Sequence, residues 1–353
     1  MPHRVTLIPG DGIGPEVAEA ARLVVDATGV QIEWDVQVAG ASAIEREGTP
    51  LPEGVLEAVR RSRTALKGPI TTPVGGGFRS VNVALRQELD LFAAIRPARR
   101  YPGLPTRHPS VDLVTIRENT EDLYRGIEFE RGAPETARLR DALFDLAGFR
   151  IREDAGVTVK PISITGTRRV VRAGLDYALR NGRRTVTVGH KANIMPFSDG
   201  VFLATALEVA QEYPEIEVRE MHIDEMAMWL ALEPETLDVL LLPNLYGDIV
   251  SDISAGLVGG LGVAPGANLG WEYAVFEPVH GSAPDIAGQG IADPIAMILT
   301  AGMMLRHLAE TDAADRVETA VARLLEKGRN LTPDLGGSAG TMDVAGAVAD
   351  LVG

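Results

Sequence analysis

GGGFRSVNVALRQELDLFAAIR, residues 75–96, places a loop, a helix and an apolar run in succession. Its three glycines predict a loop whose backbone can approach a ligand closely, because no Cβ stands in the way. Ser80 lies where a hydroxyl side chain would cap the first turn of a helix. Val81, Leu85 and Leu89 then recur at helical spacing, so we expect a helix that begins after Ser80.

Polar side chains flank this apolar stripe. Asn82 and Arg86 are four residues apart and project together from a second face of the helix, whose start attracts anions. Arg96 and Arg117 each end an apolar run, where a guanidinium can pair with a carboxylate in a cleft. A lone arginine would more simply be a surface or interdomain ion-pair partner. Three arginines together with Ser80 and Asn82 instead indicate a pocket for a small polycarboxylate.

The composition limits the classes of function. The chain has 353 residues, which suits two domains, and its 45% hydrophobic and 24% charged content is typical of a soluble globular protein. A formal net charge of -15 argues against a nucleic-acid partner or an anionic membrane surface. The chain contains no cysteine, which excludes disulfides, thiolate nucleophiles and cysteine-ligated metals. No apolar run approaches the ~18 residues of a membrane span, and no leader-like segment is present, so we expect a cytoplasmic protein.

A second glycine-containing loop follows the first strand-like run. Arg4 to Ile8 predict a short buried strand, and the loop PGDGIG then leads into a helix that opens at Pro15. The order of strand, loop and helix is similar to a dinucleotide fingerprint. However, Pro15 occupies the position of the third glycine in GxGxxG, so we interpret the loop as a tight structural turn.

Strand-like and helix-like segments alternate along the chain, which indicates an α/β architecture with largely parallel strands. The strand-like runs are Gln31–Val38, Ala65–Lys67, Asp112–Ile116, Thr185–Val188, Glu217–Met221 and Val239–Leu242. The helical segments are Val81–Asp90, Thr167–Arg180, Phe197–Glu212, Ile249–Leu261, Pro294–Leu308 and Ala313–Lys327. The arginine-rich stretch from 128 to 160 interrupts this alternation and predicts an inserted arm, either a solvated excursion or an oligomer contact.

Acidic and basic side chains recur where strand-like runs give way to helices. Asp248 and Asp252 share one helix face, which we place at the N-terminal turn, and Asp224 follows another strand-like run. Carboxylate oxygens are the ligands that Mg²⁺ or Mn²⁺ prefers, although such acids can equally serve as helix caps. Lys191, directly after a strand-like run, is a candidate for proton transfer, and Tyr124 is a candidate acid. Each could instead be an ordinary surface or core residue.

A Gly/Pro-rich stretch from 265 to 288 is longer than a simple connection between two elements needs to be, so it predicts a binding loop. His280 in this stretch could contact phosphates or adenine, or be a structural histidine.

The order of these motifs identifies a family. GDGIGPE, KGPITTPVGGGFRSVNVALRQELDLFAAIRP, RENTEDLY, HKANIM, NLYGDIVSDISAGLVGGLG and HGSAPDIAG occur in the family's order. Together they make the chain resemble the isocitrate/3-isopropylmalate family of metal-dependent β-decarboxylating dehydrogenases over nearly its whole length. The resemblance implies a three-layer isopropylmalate-dehydrogenase-like fold, whose large and small α/β domains share a mostly parallel sheet core. The large, cofactor-side domain would comprise 1–91 and 259–353, the small domain 92–121 and 164–258, and a clasp-like insert 122–163.

The resemblance also implies a role for each matching residue. Substrate carboxylates would be held by Ser80, Asn82, Arg86, Arg96 and Arg117. Tyr124 would protonate the enolate after CO₂ leaves, and Lys191 with Asp224, both lent by the partner subunit of a homodimer, would assist removal of the hydroxyl proton. Mg²⁺ or Mn²⁺ would be coordinated by Asp224, Asp248 and Asp252. NAD would be bound by Thr72, His280, Gly281, Ser282, Ala283, Asp285, Ile286 and Asp293.

Two pairs of residues direct the choice of substrate and cofactor. Ser80 and Asn82 make the helix start polar, as in isocitrate enzymes, whereas the isopropylmalate branch has an apolar and acidic pattern there. Homoisocitrate is the nearest rival substrate. Asp285–Ile286 favours NAD, because an acid accepts hydrogen bonds from the ribose hydroxyls but repels the 2′-phosphate of NADP.

Asp293 departs from the family, whose members usually have Asn before Pro at this position. A function of another class, a non-catalytic regulatory subunit, is the remaining alternative.

Overall fold

A computed structural model describes residues 2–71 and 80–353. Thr72 and the glycines of the loop at 75–77 lie outside the described residues. Within the described ranges, no helix combines the length and the apolar character that crossing a membrane requires.

One ten-stranded sheet organises the described chain. The strands are β1 (His3–Ile8), β2 (Ile32–Val36), β3 (Thr64–Lys67), β4 (Ala93–Arg99), β5 (Asp112–Glu118), β6 (Glu128–Phe129), β7 (Val157–Thr158), β8 (Thr185–His190), β9 (Glu217–His222), β10 (Val239–Leu242), β11 (Ala267–Leu269) and β12 (Ala274–Phe276). The order in the large sheet is β2-β1-β3-β12-β11-β4-β5-β10-β8-β9. All neighbours pair in parallel except around the centre, where β11 is antiparallel to β12 and β4, and β4 to β5. The two parallel halves therefore run in opposite directions and meet at the central strands.

Helices cover the sheet. They are α1 (Gly14–Ala27), α2 (Ala41–Glu47), α3 (Glu53–Ser62), α4 (Val81–Glu88), α5 (Pro134–Ala147), α6 (Ile164–Arg180), α7 (Asp199–Ala210), α8 (Ile223–Leu232), α9 (Asn244–Val258), α10 (Ile295–His307), α11 (Thr311–Lys327) and α12 (Thr341–Val352). The largest apolar core joins α1 and α10–α12 to the sheet, and a second lies under α6 and α7. Helix α10 is apolar on nearly every side because it packs between the sheet, α1 and α11. The predicted mixed α/β fold with a mostly parallel sheet is confirmed.

The insert predicted between 122 and 163 contains structure that the sequence analysis missed. Strands β6 and β7 pair antiparallel, and α5 lies between them. Proline stands at the first position of α5, where its missing N–H has no helical partner to lose. Within α5 only Thr136 is buried, whereas Leu146 and the following Phe149 are 85% and 70% exposed. Such exposed apolar side chains are typical of a contact surface.

Two local expectations are wrong. Arg96 and Arg117 do not end their strands but lie inside β4 and β5. A charged residue in an apolar run resembles a strand end, yet here the charge is compensated by a carboxylate from α9. Pro97 also continues β4, because it faces Val114, whose N–H bonds to the carbonyl of Asp238 instead.

Helix α9 begins at Asn244, five residues before the predicted start. Asp248 and Asp252 consequently lie in its second and third turns rather than at its N-terminal turn. The glycine in NLYGD obscured the first turn, since glycine is usually a poor helix former.

Candidate active site

Two arginines project from the same face of the central antiparallel pair. The register sets Ala94 opposite Arg117 and Arg96 opposite Thr115, which makes the two arginines diagonal neighbours. Arg117 is 0% exposed. Its Nε and Nη2 donate to Asn244 Oδ1 at 2.9 and 2.7 Å, and its Nη1 donates to Asp248. These contacts orient a guanidinium that would otherwise be costly to bury.

Helix α9 can approach β5 this closely because residue 247 is glycine. A Cβ on Gly247 would lie 2.6 Å from both Cβ and Cγ of Arg117, too close for any real contact. The absence of that atom lets α9 bring Asp248 to Arg117.

Asp248 is the centre of the polar cluster. It accepts hydrogen bonds from Arg117, from the Tyr124 hydroxyl and from Arg96 Nη1, the last at 3.2 Å. Burial alone would raise the pKa of Asp248, but Arg117, the Tyr124 hydroxyl and Arg96 together lower it. Burial and the hydrogen bond to Asp248 raise the pKa of Tyr124, which keeps the phenol protonated. Asp252, 3.7 Å from Arg96, has a pKa raised by its partial burial.

Arg86 of α4 is held at the same site by a buried acid. Its Nη2 donates to Glu277 Oε1 at 3.0 Å, and Lys67 donates to Glu277 Oε2 at 2.5 Å. Burial opposes ionisation of Glu277, but Lys67 and Arg86 hold its pKa well below the ordinary value. Asn268 also donates to Glu277, at 2.9 Å. Neither Lys67 nor Glu277 was among the site residues predicted from the sequence. Their signal was a charged residue that ends one apolar strand, in TALK, and one that directly follows another, in AVFE.

Positive charge exceeds negative charge where these arginines converge. Burial comes first among the causes that lower the pKa of Arg117, and the guanidinium groups of Arg86 and Arg96 follow. For Arg96, burial and then Arg86 lower the pKa in the same way. An anionic ligand would relieve this repulsion. The structure therefore brings together all three arginines predicted to bind carboxylates.

Ser80 and Asn82 border this cluster through α4. Ser80 occupies the N-cap position, but among the described residues its side chain makes no capping hydrogen bond. Asn82 Oδ1 is buried and has no hydrogen-bond partner in that same part of the chain. Both groups lie on the helix that carries Arg86.

Lys191 and Asp224 form a separate pair. Lys191 Nζ donates to Asp224 Oδ1 at 2.5 Å, beyond the ends of β8 and β9. Within residues 2–71 and 80–353, no three acidic or histidine side chains converge on a possible metal position. Asp224 therefore does not join Asp248 and Asp252 within one chain. The two carboxylates on α9 are one helical turn apart and accessible, and their hard oxygens suit Mg²⁺ or Mn²⁺.

Asp199, which was not predicted from the sequence, accepts a hydrogen bond from the backbone of Lys191. Its buried carboxylate accepts the Lys191 N–H at 2.8 Å through Oδ2 and the Lys160 ammonium at 2.5 Å through Oδ1. The Lys160 ammonium also lies 4.7 Å from the ring centre of Tyr246 and 3.9 Å from Asp122. Asp122 in turn binds the N–H of Leu245 at 2.8 Å. This network connects the base of the insert to the segments that carry Lys191, Tyr124 and Asp248.

Apolar side chains are exposed on the three segments that carry Lys191, Asp224 and the α9 carboxylates. They follow Lys191 in its loop, lie on α8 beyond Asp224 and flank Asp248 and Asp252 on α9. These residues are Ile194, Phe197, Met228, Leu232, Ile249 and Ile253. Phe197 is 93% exposed, which is unusual for an aromatic ring in an isolated globular chain.

The first glycine loop packs against the loop after β12. Ile13 N–H donates to the Ser282 carbonyl at 2.9 Å, and the hydroxyls of Thr71 and Ser282 lie 2.6 Å apart. Asp11 accepts the N–H groups of Ala41 and Thr71 at 3.0 and 2.9 Å. The loop is thus engaged in packing and turn formation, as the sequence interpretation proposed.

Five of the residues predicted to bind cofactor line one cavity of about 520 Å³. They are His280, Gly281, Ala283, Ile286 and Asp293. The hydroxyl of Ser282 is engaged with Thr71, and Asp285 is exposed beside the cavity. Burial lowers the pKa of His280, whose Nδ1 lies 2.9 Å from the Gly281 carbonyl. The histidine is therefore neutral near pH 7, with Nδ1 as the donor and Nε2 as an acceptor.

Comparison with known proteins places this site in a family. Residues 4–348 match the sequence profile of isocitrate/isopropylmalate dehydrogenases. The NAD isocitrate dehydrogenase catalytic subunit 5, mitochondrial, of Arabidopsis thaliana is 44% identical over 99% of this chain and 88% of its own. The isocitrate/homoisocitrate dehydrogenase of Thermus thermophilus is 46% identical over 99% of this chain and 98% of its own. The crystal structure of isocitrate dehydrogenase from Methylococcus capsulatus superposes with a TM-score of 0.91 at 48% identity, over 99% of both chains. The chain therefore belongs to the isocitrate/isopropylmalate dehydrogenase family.

Proposed function

We propose that this protein is an NAD-dependent isocitrate dehydrogenase that forms 2-oxoglutarate and CO₂ with Mg²⁺ or Mn²⁺. The observation that carries the proposal is the polar start of α4 beside three converging arginines. Arg86, Arg96 and Arg117 supply positive charge for the carboxylates shared by all substrates of this family. The Ser80 hydroxyl and the Asn82 Nδ2 amide group can donate hydrogen bonds to a third carboxylate, whereas an alkyl group offers these donors no acceptor.

The protein's own groups carry the proton transfers. Lys191, oriented by Asp224 and by the backbone bond to Asp199, assists removal of the substrate hydroxyl proton. Tyr124 keeps its proton under the influence of Asp248 and is suited to protonate the enolate carbon after CO₂ leaves. The cavity lined by His280 and Ile286 would hold NAD, which would supply the acceptor for the hydride that leaves the hydroxyl carbon. Asp248 and Asp252, with Asp224 of a second subunit, would hold a divalent cation that acts as a Lewis acid on the substrate oxygens.

A homodimer with shared active sites completes the proposal. Tyr124 and Asp248 lie in one cluster, whereas Lys191 and Asp224 form a pair elsewhere in the same chain. The exposed apolar side chains lie on the segments that carry these groups, so a second copy that covers them would bring its Lys191 and Asp224 to the cluster. We also propose that the protein is cytoplasmic and acts without a nucleic-acid or membrane partner.

Homoisocitrate is the second candidate substrate, because the Thermus thermophilus relative bears both substrates in its name. Steady-state rates with isocitrate, homoisocitrate, 3-isopropylmalate and malate, each with NAD or NADP and Mn²⁺, discriminate the possibilities. We expect the highest kcat/KM with isocitrate and NAD. A preference for 3-isopropylmalate would contradict the argument from Ser80 and Asn82, and inactivity with all four would favour a regulatory subunit.

A matched pair of variants tests the polar helix start. N82L should lower kcat/KM for isocitrate more than for 3-isopropylmalate, because it replaces a polar group by an alkyl surface. Q87L, on the same helix outside the cluster, should leave the ratio of the two substrates unchanged.

A further inference from the structure

Asp293 is a buried acid with one unsatisfied oxygen. Only 7% of the residue is exposed. Oδ1 accepts the N–H of Ile295 at 2.9 Å, at the start of α10. Oδ2 is buried and has no hydrogen-bond partner among residues 2–71 and 80–353. Asp293 also lines the 520 Å³ cavity that contains His280 and Ile286.

The surroundings of Asp293 disfavour a negative charge. Among the described residues, no cationic side chain contributes to the pKa of Asp293. The facing titratable groups are Asp334, which repels a second carboxylate, and His280, which is neutral. Both acids flank Gly262, since a Cβ there would lie 3.1 Å from Asp293 Oδ2 and 3.4 Å from Asp334 Oδ2. Helix α12 adds no charge beside Asp293: its Thr341 hydroxyl donates a hydrogen bond to the carbonyl of the preceding residue, Ala292, at 2.7 Å.

A buried carboxyl without a cation, beside another acid, takes up a proton. We propose that Asp293 is a neutral acid when the dinucleotide binds and that its Oδ2 hydroxyl donates a hydrogen bond to a ring nitrogen of the adenine base. This inference rests on the proposed NAD-dependent function and identifies a residue that recognises the base.

The charge state agrees with this assignment. Burial, and then repulsion by Asp334, raises the pKa of Asp293 to about 8, although the Ile295 N–H opposes the shift. At neutral pH the Oδ2 atom is therefore a donor.

The cavity then offers one donor and one acceptor. Asp293 Oδ2–H is the donor, and His280 Nε2, which is buried and without a partner among the described residues, is the acceptor. Adenine presents the complementary groups, because its ring nitrogens accept and its exocyclic amino group donates. Ile286 and Ala283 add apolar surface for the ring.

The test is calorimetric binding of NAD and of AMP to the full chain between about pH 6.5 and 9.5. Wild type should lose affinity as the pH rises through about 8, by up to roughly 30-fold at 1.5 units above the pKa. D293N keeps a donor at every pH and should bind with no such loss. D293A should bind weakly throughout, and D334N should move the wild-type transition to lower pH. D350N, an exposed acid on α12, serves as the matched control and should follow wild type.

Two outcomes would overturn the assignment. One is that D293N loses affinity with pH as wild type does, and the other is that D293A binds like wild type at pH 6.5. Failure of the proposed function looks different: AMP would then bind with the expected pH dependence, but NAD would not bind and isocitrate would not be oxidised.

Discussion

At the scale of single residues, the site depends on charges whose cost of burial is balanced locally. Arg117 and Glu277 are almost inaccessible to solvent, yet each contacts a group of opposite charge. Removing one partner would leave the other charge buried without compensation. This is why the residues that position Arg86 and Arg117 matter as much as the arginines themselves.

Tyr124 gives a direct test of the acid. Y124F removes the hydroxyl that donates to Asp248 while preserving the ring beside Arg117. We expect kcat to fall by about 10²–10⁴-fold, the range for loss of a positioned acid, and KM for isocitrate to change less. Steady-state kinetics measure both. As a control, Y213F removes a phenol that bonds to Asp176 away from the cluster and should leave kcat unchanged. An unaltered kcat in Y124F would exclude the phenol as the acid.

Asp293 predicts a pH dependence of stability. Its pKa is about 8 in the folded protein and near 3.8 when unfolded, so the folded state binds more protons between these values. The free energy of unfolding should therefore decrease as the pH rises from about 4 to 8, by at most about 1.4 kcal/mol per pH unit, and level off above 8. D293N cannot ionise and should lack this decrease. Urea unfolding of both proteins across this range measures it, and parallel curves would contradict a neutral Asp293.

At the scale of elements, close approach of α9 to β5 assembles the cluster. G247A places a methyl group against Arg117, which should lower the free energy of unfolding by about 1–3 kcal/mol and raise KM for isocitrate. G346A, in α12 and with open space around its Cβ position, should instead stabilise the protein by about 0.5–1 kcal/mol. Chemical denaturation and kinetics of the two variants provide the comparison. Equal effects of both substitutions would show that the contact with Arg117 is unimportant.

The ion pair between Lys160, at the base of the insert, and Asp199 should stabilise the segment that carries Lys191. K160M leaves the buried Asp199 carboxylate without its cation and should lower the free energy of unfolding by about 3–5 kcal/mol, with a loss of kcat. R168Q breaks an exposed ion pair to Glu208 and should cost about 1 kcal/mol or less. Combining K160M with D199N removes both charges and should recover part of the stability. If K160M is as mild as R168Q, the network does not support Lys191.

At the scale of the whole molecule, the proposed dimer predicts complementation. Y124F and K191M homodimers should each be inactive, whereas unfolding and refolding them together produces mixed dimers with one intact site. About one quarter of wild-type activity should then appear. Activity in the refolded mixture, compared with each variant refolded alone, is the measurement. No gain in a mixture shown to contain mixed dimers would mean that Tyr124 and Lys191 act within one chain.

The sequence by itself determined the family, the mixed α/β fold and most of the elements. Regular apolar periodicity and long ordered motifs carry that information locally, as in β10, whose bounds agree with the prediction. The helix of the insert, the early start of α9 and the strand positions of Arg96 and Arg117 were missed. For α9 and for the two arginines, a local signal, a glycine or a charge, was overridden by a partner distant in sequence. Helix α5 was missed because only Thr136 is buried in it, so it lacks the broad apolar face of a core helix.

Only the tertiary structure decided which charged side chains pair with each other and which polar groups remain free to bind a ligand. Lys67 and Glu277 are 210 residues apart, and Asp199 meets Lys160 across 39. The same holds for Asp293, whose neutrality depends on burial and on Asp334 rather than on its neighbours in sequence. Burial and the charge of nearby side chains depend on which residues are close in space, whereas a sequence pattern shows only which residues are close along the chain.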